Sequence, residues 1–224
     1  MSTVLSTKKL SPSQKQLLLN AGIGLVNYDA IQIEFIDFKT DNQAFKNAVI
    51  TSKNSAKAIL KKGLKIGKCF CVGEKTASFL RENNFNIAEI ADYGVNLAQI
   101  IVGKYPKENF AFFCGNERRD ELPAILKKNS VNFDEIEVYK TSLKPKHFER
   151  EFEGILFFSP SGVKSFVSKN KLDKSIAFCI GSTTASEAKK YTSNIVIANK
   201  PSIENVIVQA VKGLKADSAT KELK

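Results

Sequence analysis

An α/β protein of two similar lobes is predicted for this chain of 224 residues. Three observations carry the prediction. The words CVGEKTASFL (71–80) and CIGSTTASEA (179–188) restate one pattern: an apolar run closes on Cys-aliphatic-Gly and passes through Thr-Ala-Ser into a helix-forming stretch. Sliding the sequence over itself by 107–108 residues extends this likeness to the whole chain. Within each copy, short apolar runs alternate with helical patterns, the order that builds βα units around a parallel sheet.

The elements follow from the overlay. Leu5 falls on Phe113, Leu18 on Leu126 and Gly22 on Ser130, which predicts strands at 3–7 and 110–114, helices near 11–21 and 119–129, and strands near 24–29 and 133–138. Further on, Ser52 falls on Ser159, Asn54 on Ser161 and Lys57 on Lys164; a one-residue adjustment then sets Gly73 on Gly181, Thr76 on Thr184 and Ala77 on Ala185. Strands near 47–51, 68–72 and 87–90 thus answer to strands near 154–158, 175–180 and 195–198, with helices between them. VNLAQII (95–101) and IENVIVQ (203–209) keep their apolar residues mostly in phase and place a last helix at 95–104 and 202–213. Five strands per copy predict two flavodoxin-like lobes with parallel five-stranded sheets.

Two segments break the rhythm, AIQIEFIDFK (30–39) and VYKTSLKPKHFE (138–149). They alternate polar and apolar residues, so they are expected to be extended crossover segments able to pair with each other. If the chain changes lobe at both, lobe one is 1–32 plus 145–224, lobe two is 38–138, and 33–37 and 139–144 are linkers. Two sequential lobes splitting near residue 108 are the alternative at this level.

Composition narrows the function classes. Apolar residues make up 43% of the chain, enough for a core. No run approaches the ~18 apolar residues of a membrane span, and Met1–Lys9 lacks the apolar stretch of a signal peptide, so a cytoplasmic protein with no membrane partner is expected. Cys69, Cys71, Cys114 and Cys179 form no C-x-x-C pair, and His147 is the sole histidine, so no metal ligand set is expected. A formal charge of +11 favours anionic partners. The lysines are nevertheless spread along the chain, several in the tail KGLKADSATKELK (212–224), which reads as a frayed end.

Ligands of open α/β sheets bind beyond the carboxyl ends of the strands, where loops lead into helix N-termini. FFSPSG offers Ser159 as N-cap and Pro160 as first helical residue, and is expected to leave the N–H groups of Ser161 and Gly162 unpaired for an anion. TSKNSA offers a similar end with Ser52 and Asn54. CGNERRDELP adds Gly115, which permits close backbone approach, Asn116 as a cap, and the forked donors of Arg118 and Arg119. Thr184 with Glu187 fits a capping box, whereas Thr76 has Phe79 at that position and is the less committed hydroxyl. Facing lobes would line one cleft with several such ends. There is no G-x-x-x-x-G-K-[ST] loop, no G-x-G-x-x-G after a strand and no Ser/His/Asp set, so an enzyme here would act by holding and orienting its substrate.

With TSKNSA, VGEKTA, CGNERRDELP, VYKT, FFSPSGV and IGSTTA in that order, the sequence resembles the uroporphyrinogen-III synthase family from its first strand to its last helix. The resemblance implies the interleaved topology and a cofactor-free lyase reaction. Hydroxymethylbilane, a linear tetrapyrrole with eight carboxylates, would lose its hydroxyl and close to a macrocycle, inverting ring D through a spiro intermediate. Tyr139 in VYKT matches the family's tyrosine that assists loss of the hydroxyl; a strand tyrosine anchoring the crossover is the other reading of the same residue. Thr76 and Thr184 would border the cleft, with Ser52, Asn116, Ser159, Ser161 and Gly162 as substrate contacts. The first strand ends STKK, where the family often carries arginine, so Lys8 or Lys9 would have to substitute.

A two-lobed binding protein for a polyanion, without turnover, is the alternative function. A nucleic-acid binder has the charge but lacks a clustered basic stripe, an aromatic RNA-binding motif or a zinc finger, so no nucleic acid is expected. With no long exposed apolar helix face evident, a monomer is expected.

Overall fold

The computed structural model describes residues 2–38, 40 and 43–222, with 216–222 by backbone alone. Lys39, in the first crossover, and Leu223 and Lys224, in the expected frayed tail, lie outside the described residues. In chain order the first elements are β1 (Thr3–Ser6), α1 (Pro12–Leu19), β2 (Gly24–Asn27), β3 (Ile31–Phe35), β4 (Ala44–Ile50), α2 (Lys53–Lys62), β5 (Lys65–Val72) and α3 (Glu74–Glu82). Next come β6 (Ile87–Ala91), α4 (Gly94–Lys104), β7 (Asn109–Gly115), α5 (Glu121–Lys128) and β8 (Asn132–Leu143). The chain closes with β9 (Gly154–Phe157), α6 (Pro160–Val167), β10 (Ile176–Cys179), α7 (Ser182–Ala188), β11 (Ile195–Ile197) and α8 (Ile203–Glu222).

These elements form two compact units, residues 1–32 with 142–224, and residues 33–141. The first holds a five-stranded sheet in the order β11-β10-β9-β1-β2, parallel at every pairing. Its central strands β1 and β9 are buried along their whole length, as expected of strands covered by helices on both faces. One face packs Phe157 and Ala177 against Val163, Phe166, Ala185 and Ala188 of α6 and α7. The other packs Val4, Leu156 and Phe178 against Leu18 of α1 and Val206, Ile207 and Ala210 of α8.

The second unit repeats the plan, with a difference. Its sheet has six strands, in the order β3-β8-β7-β4-β5-β6, rather than the five parallel ones expected. The added strand comes from the first crossover: Ile36 N–H donates to Val138 O and Lys144 N–H to Ala30 O, a register that runs in opposite directions along the two segments and makes β3 antiparallel to β8. Pairing the two crossovers satisfies backbone groups that would otherwise line an open sheet edge. The remaining strands β8-β7-β4-β5-β6 correspond one for one to β2-β1-β9-β10-β11, so the duplicated unit recurs with its chain order rotated. Backbone detail agrees, because the overlaid residues Gly22 and Ser130 both adopt positive φ, 74° and 55°. The tail differs from expectation, since α8 continues as helix to Glu222.

All four cysteines are buried. Burial pushes the Cys69 and Cys179 thiols up to about 12, and those of Cys71 and Cys114 up to about 11, from an ordinary value of 9.0. An unfolded chain ionises these thiols near 9 while the folded chain keeps its protons, so their contribution is fully present below that pH and is lost as pH rises toward 11–12. The urea midpoint is therefore expected to fall between pH 8 and about pH 10.5. The same drop in a variant with all four cysteines replaced by alanine would show that the thiols are not its source.

Candidate functional site

In each sheet the chain reverses its direction of travel once: between β1 and β9 in the first unit, and between β7 and β4 in the second. Loops leaving the carboxyl ends of such neighbouring strands pass to opposite faces and open a crevice. Ser159, Ser161 and Gly162 follow β9, and Ser52 and Asn54 follow β4. Gly115 and Asn116 stand at the end of β7. Thr76 and Thr184 lie one strand away, after β5 and β10.

In the first unit Ser159 is the N-cap of α6, and its Oγ accepts the Gly162 N–H at 3.0 Å. The Gly162 N–H is thus occupied, contrary to expectation, because a serine N-cap normally takes the N–H of the second or third helical residue. The Ser161 N–H, one position earlier, has no partner among the described residues. Thr7, which the sequence reading passed over, continues β1 and ties it to β9 by donating its hydroxyl to Leu156 O at 2.8 Å. A Cβ on Gly162 would meet that Thr7 hydroxyl at 3.4 Å, so the end of β1 and the start of α6 are close neighbours. Of the two lysines that follow, Lys9 is paired with Asp29 at 3.7 Å, while no ion pair holds Lys8 among the described residues.

The second unit repeats this cap: Ser52 Oγ accepts the Ser55 N–H at 3.0 Å, and Asn54 occupies the second helical position, equivalent to Ser161. The twin Gly words are less alike than they read. Gly73 caps α3 at φ 81°, a conformation that favours glycine, whereas Gly181 caps α7 in extended backbone that any residue adopts. Thr76 and Thr184 are both buried at the third helical position. The expected Thr184–Glu187 capping box is absent, because Gly181 is the cap and Glu187 instead pairs with Lys190 at 2.7 Å.

The CGNERRDELP segment departs most from expectation. Asn116 does not cap α5; that position belongs to Asp120. The Asn116 side chain instead pairs with the backbone of Thr141, accepting its N–H at 2.8 Å and donating to its carbonyl at 3.3 Å. Arg118 donates to both Glu135 and Asp120. Burial works to lower its pKa, yet hydrogen bonds to the two carboxylates outweigh that and raise it. A cavity of about 450 Å³ here is lined by Cys114, Gly115, Asn116, Arg118, Asp120, Glu135 and Glu137. Three carboxylates surround one guanidinium, so this end is a poor grip for an anion. Tyr139 lies beside it on β8, half-buried, with its ring against Gly115.

A second cavity of about 380 Å³, around His147, Phe148 and Phe152, lies at the amino ends of β9 and β10, away from the polar helix starts. No group of three or more His, Cys, Asp or Glu side chains fit to hold a metal occurs among the described residues. None of the described helices is long and apolar enough to cross a membrane.

Two doubly wound units on an interleaved chain, with capped helix starts at both reversal points, define a class of two-unit α/β protein. Within that class, the family model described as uroporphyrinogen-III synthase HemD matches residues 14–207, and the chain belongs to that family. The porphyrin biosynthesis protein HemD of Ruminiclostridium josui is 30% identical over 154 residues, a match covering 61% of this chain and 30% of that relative. The chain thus spans about three-tenths of the curated relative it matches. Among solved structures, uroporphyrinogen-III synthetase from Helicobacter pylori shares the fold with a TM-score of 0.71 at 20% identity, covering 95% of this chain and 99% of that one. A mutant uroporphyrinogen III synthase from the extremely thermophilic bacterium Thermus thermophilus gives 0.69 at 13% identity, covering 97% of this chain and 100% of that one.

Proposed function

We propose that the protein is a uroporphyrinogen-III synthase, a lyase that closes hydroxymethylbilane to uroporphyrinogen III with inversion of ring D and loss of water, using no metal or organic cofactor. The family match over residues 14–207 carries this reading. The substrate is a polycarboxylate, and the helix starts at Ser159–Gly162 and Ser52–Asn54 are suited to its acetate and propionate arms. Each presents a backbone N–H at the positive end of a helix dipole, a contact worth on the order of 0.3–1 kcal/mol. Thr76 and Thr184 border these starts, and Lys8 adds positive charge beside the first. Arg118 can reach a substrate carboxylate only by exchanging Asp120 or Glu135 for it.

The bilane closes readily without inversion, so the enzyme's task is to choose which carbon of ring D attacks. Holding the carboxylate arms restricts that choice. Tyr139 donates its proton to the departing hydroxyl, which leaves as water, and takes back the proton that the pyrrole gives up on closing the ring. Hydroxymethylbilane generated in situ, with the products oxidised and resolved, tests the reading: type III uroporphyrin is expected. Only type I, as in a protein-free blank, overturns it and leaves a polyanion-binding protein without turnover.

Ser161→Pro removes a backbone N–H at the α6 start that has no partner among the described residues. Product affinity is expected to weaken roughly tenfold, the scale of one hydrogen bond to a charged group, while Ser161→Ala keeps the N–H and the affinity. Equal dissociation constants for the two variants would remove Ser161 from the site.

A further inference from the structure

We infer that Gly115, Asn116 and a bulge at Val138 form a seat that aims the Tyr139 phenol, and that Gly115 and Asn116 are positioning residues rather than substrate contacts. The inference rests on the role proposed for Tyr139 and assigns to that role the machinery that serves it.

The bulge comes first. β7 and β8 pair in step from Asn109↔Asn132 to Cys114↔Glu137, and then Gly115 pairs with Tyr139, which leaves Val138 as an extra residue. Side chains alternate faces along a strand, so one inserted residue turns everything beyond it over. The packing records the turn. Phe133 lies on the face covered by α4 and α5, whereas Ile136 and Val138 lie on the face covered by α2 and α3. Tyr139, odd-numbered like Phe133, would share the α4/α5 face in a regular strand, yet it packs with Ile136 and Val138. The bulge therefore moves the phenol to the side of the sheet that carries α2, the helix beginning at Ser52–Asn54.

Gly115 makes room for the ring once it has turned. On β7, Ala111 and Phe113 face the same α2/α3 side, and Gly115 is next in that alternation. A Cβ on Gly115 would stand 2.5 Å from Tyr139 Cε2 and 2.9 Å from Cε1, closer than real carbon atoms approach. The ring thus occupies the space a side chain would take. Asn116 then pins the backbone: its N–H donates to Tyr139 O at 3.3 Å, and its side chain holds both backbone groups of Thr141. The tyrosine's own carbonyl and both backbone groups of Thr141 are thus fixed just beyond the bulge, so the strand cannot slip back into regular register without breaking all three bonds.

The test compares Gly115→Ala, Asn116→Ala and Tyr139→Phe, alone and with each of the first two combined with the third, by kcat and KM for type III formation. Displacing a reacting group by about 1 Å can cost on the order of 100-fold, so each seat variant is expected to lower kcat by about 10- to 100-fold with KM unchanged. Neither is expected to slow the Tyr139→Phe enzyme further, because the group it positions is already gone. A rise in KM at constant kcat, or effects that multiply in the double variants, would make Gly115 and Asn116 substrate contacts and overturn the inference. Protein carrying ¹³C-labelled tyrosine supplies a readout independent of turnover: both seat variants are expected to shift the Tyr139 ring signal and spare the other four tyrosines. An unmoved Tyr139 signal overturns the seat. A moved signal with undiminished activity in Tyr139→Phe would leave the seat standing and remove the role proposed for the phenol. Asn116 is exposed, so its variant carries the test should Gly115→Ala fail to fold.

Discussion

Tyr139→Phe is expected to lower the rate of type III formation by about 100-fold, the scale of a positioned proton donor in a transition state. The substitution removes one oxygen and keeps the ring that fills the space above Gly115, so the fold and the affinity for product are expected to stay. Bilane that the enzyme no longer converts closes on its own, so the product mixture shifts toward type I. The measurement is the in situ assay, with near-ultraviolet circular dichroism to confirm the native packing. Undiminished type III formation would reduce Tyr139 to a strand residue anchoring the crossover.

Phe178→Ala is expected to destabilise the first unit by about 3–5 kcal/mol, the usual loss for a fully buried phenylalanine. Phe178 is wholly buried on β10, on the face covered by α1 and α8. Its ring lies over two glycines: a Cβ on Gly154 of β9 would meet it at 2.7 Å, and one on Gly213 of α8 at 3.1 Å. Neither glycine has a side chain to move into the hole, so the cavity penalty adds to the lost transfer energy. A urea titration followed by far-ultraviolet circular dichroism measures the shift. A loss below about 1.5 kcal/mol, within the range of volume-conserving swaps, would mean that the site collapses and that the glycines do not hold the slot open.

Much of each unit was legible because its signals are local. Ser159 before a proline and Ser52 before a polar helical run each specify a cap within four residues, and both caps form. The overlay of Gly22 on Ser130 paired two turns that share a left-handed backbone. Local reading also misled where a motif had two places to form. Thr184 with Glu187 matches a capping box, but Gly181 is the cap and the pattern falls three residues inside the helix. CGNERRDELP reads as a cationic anion site, yet Glu135 on the neighbouring strand neutralises Arg118.

Alternating apolar periods, helix caps and the repeated strand-to-helix words are properties of short segments. From them two α/β copies, their strands and helices, and the polar strand-to-helix ends can be read directly. The order of strands in each sheet, the sixth strand made from a crossover, the partners of Arg118, and the bulge that turns Tyr139 to the α2 face emerge only in the folded chain. One cause accounts for most of these cases. Strand order, register and ion pairing depend on hydrogen bonds and charges between residues far apart in the chain, such as Asn116 with Thr141 and Arg118 with Glu135, and those distances are set only when the sheet assembles.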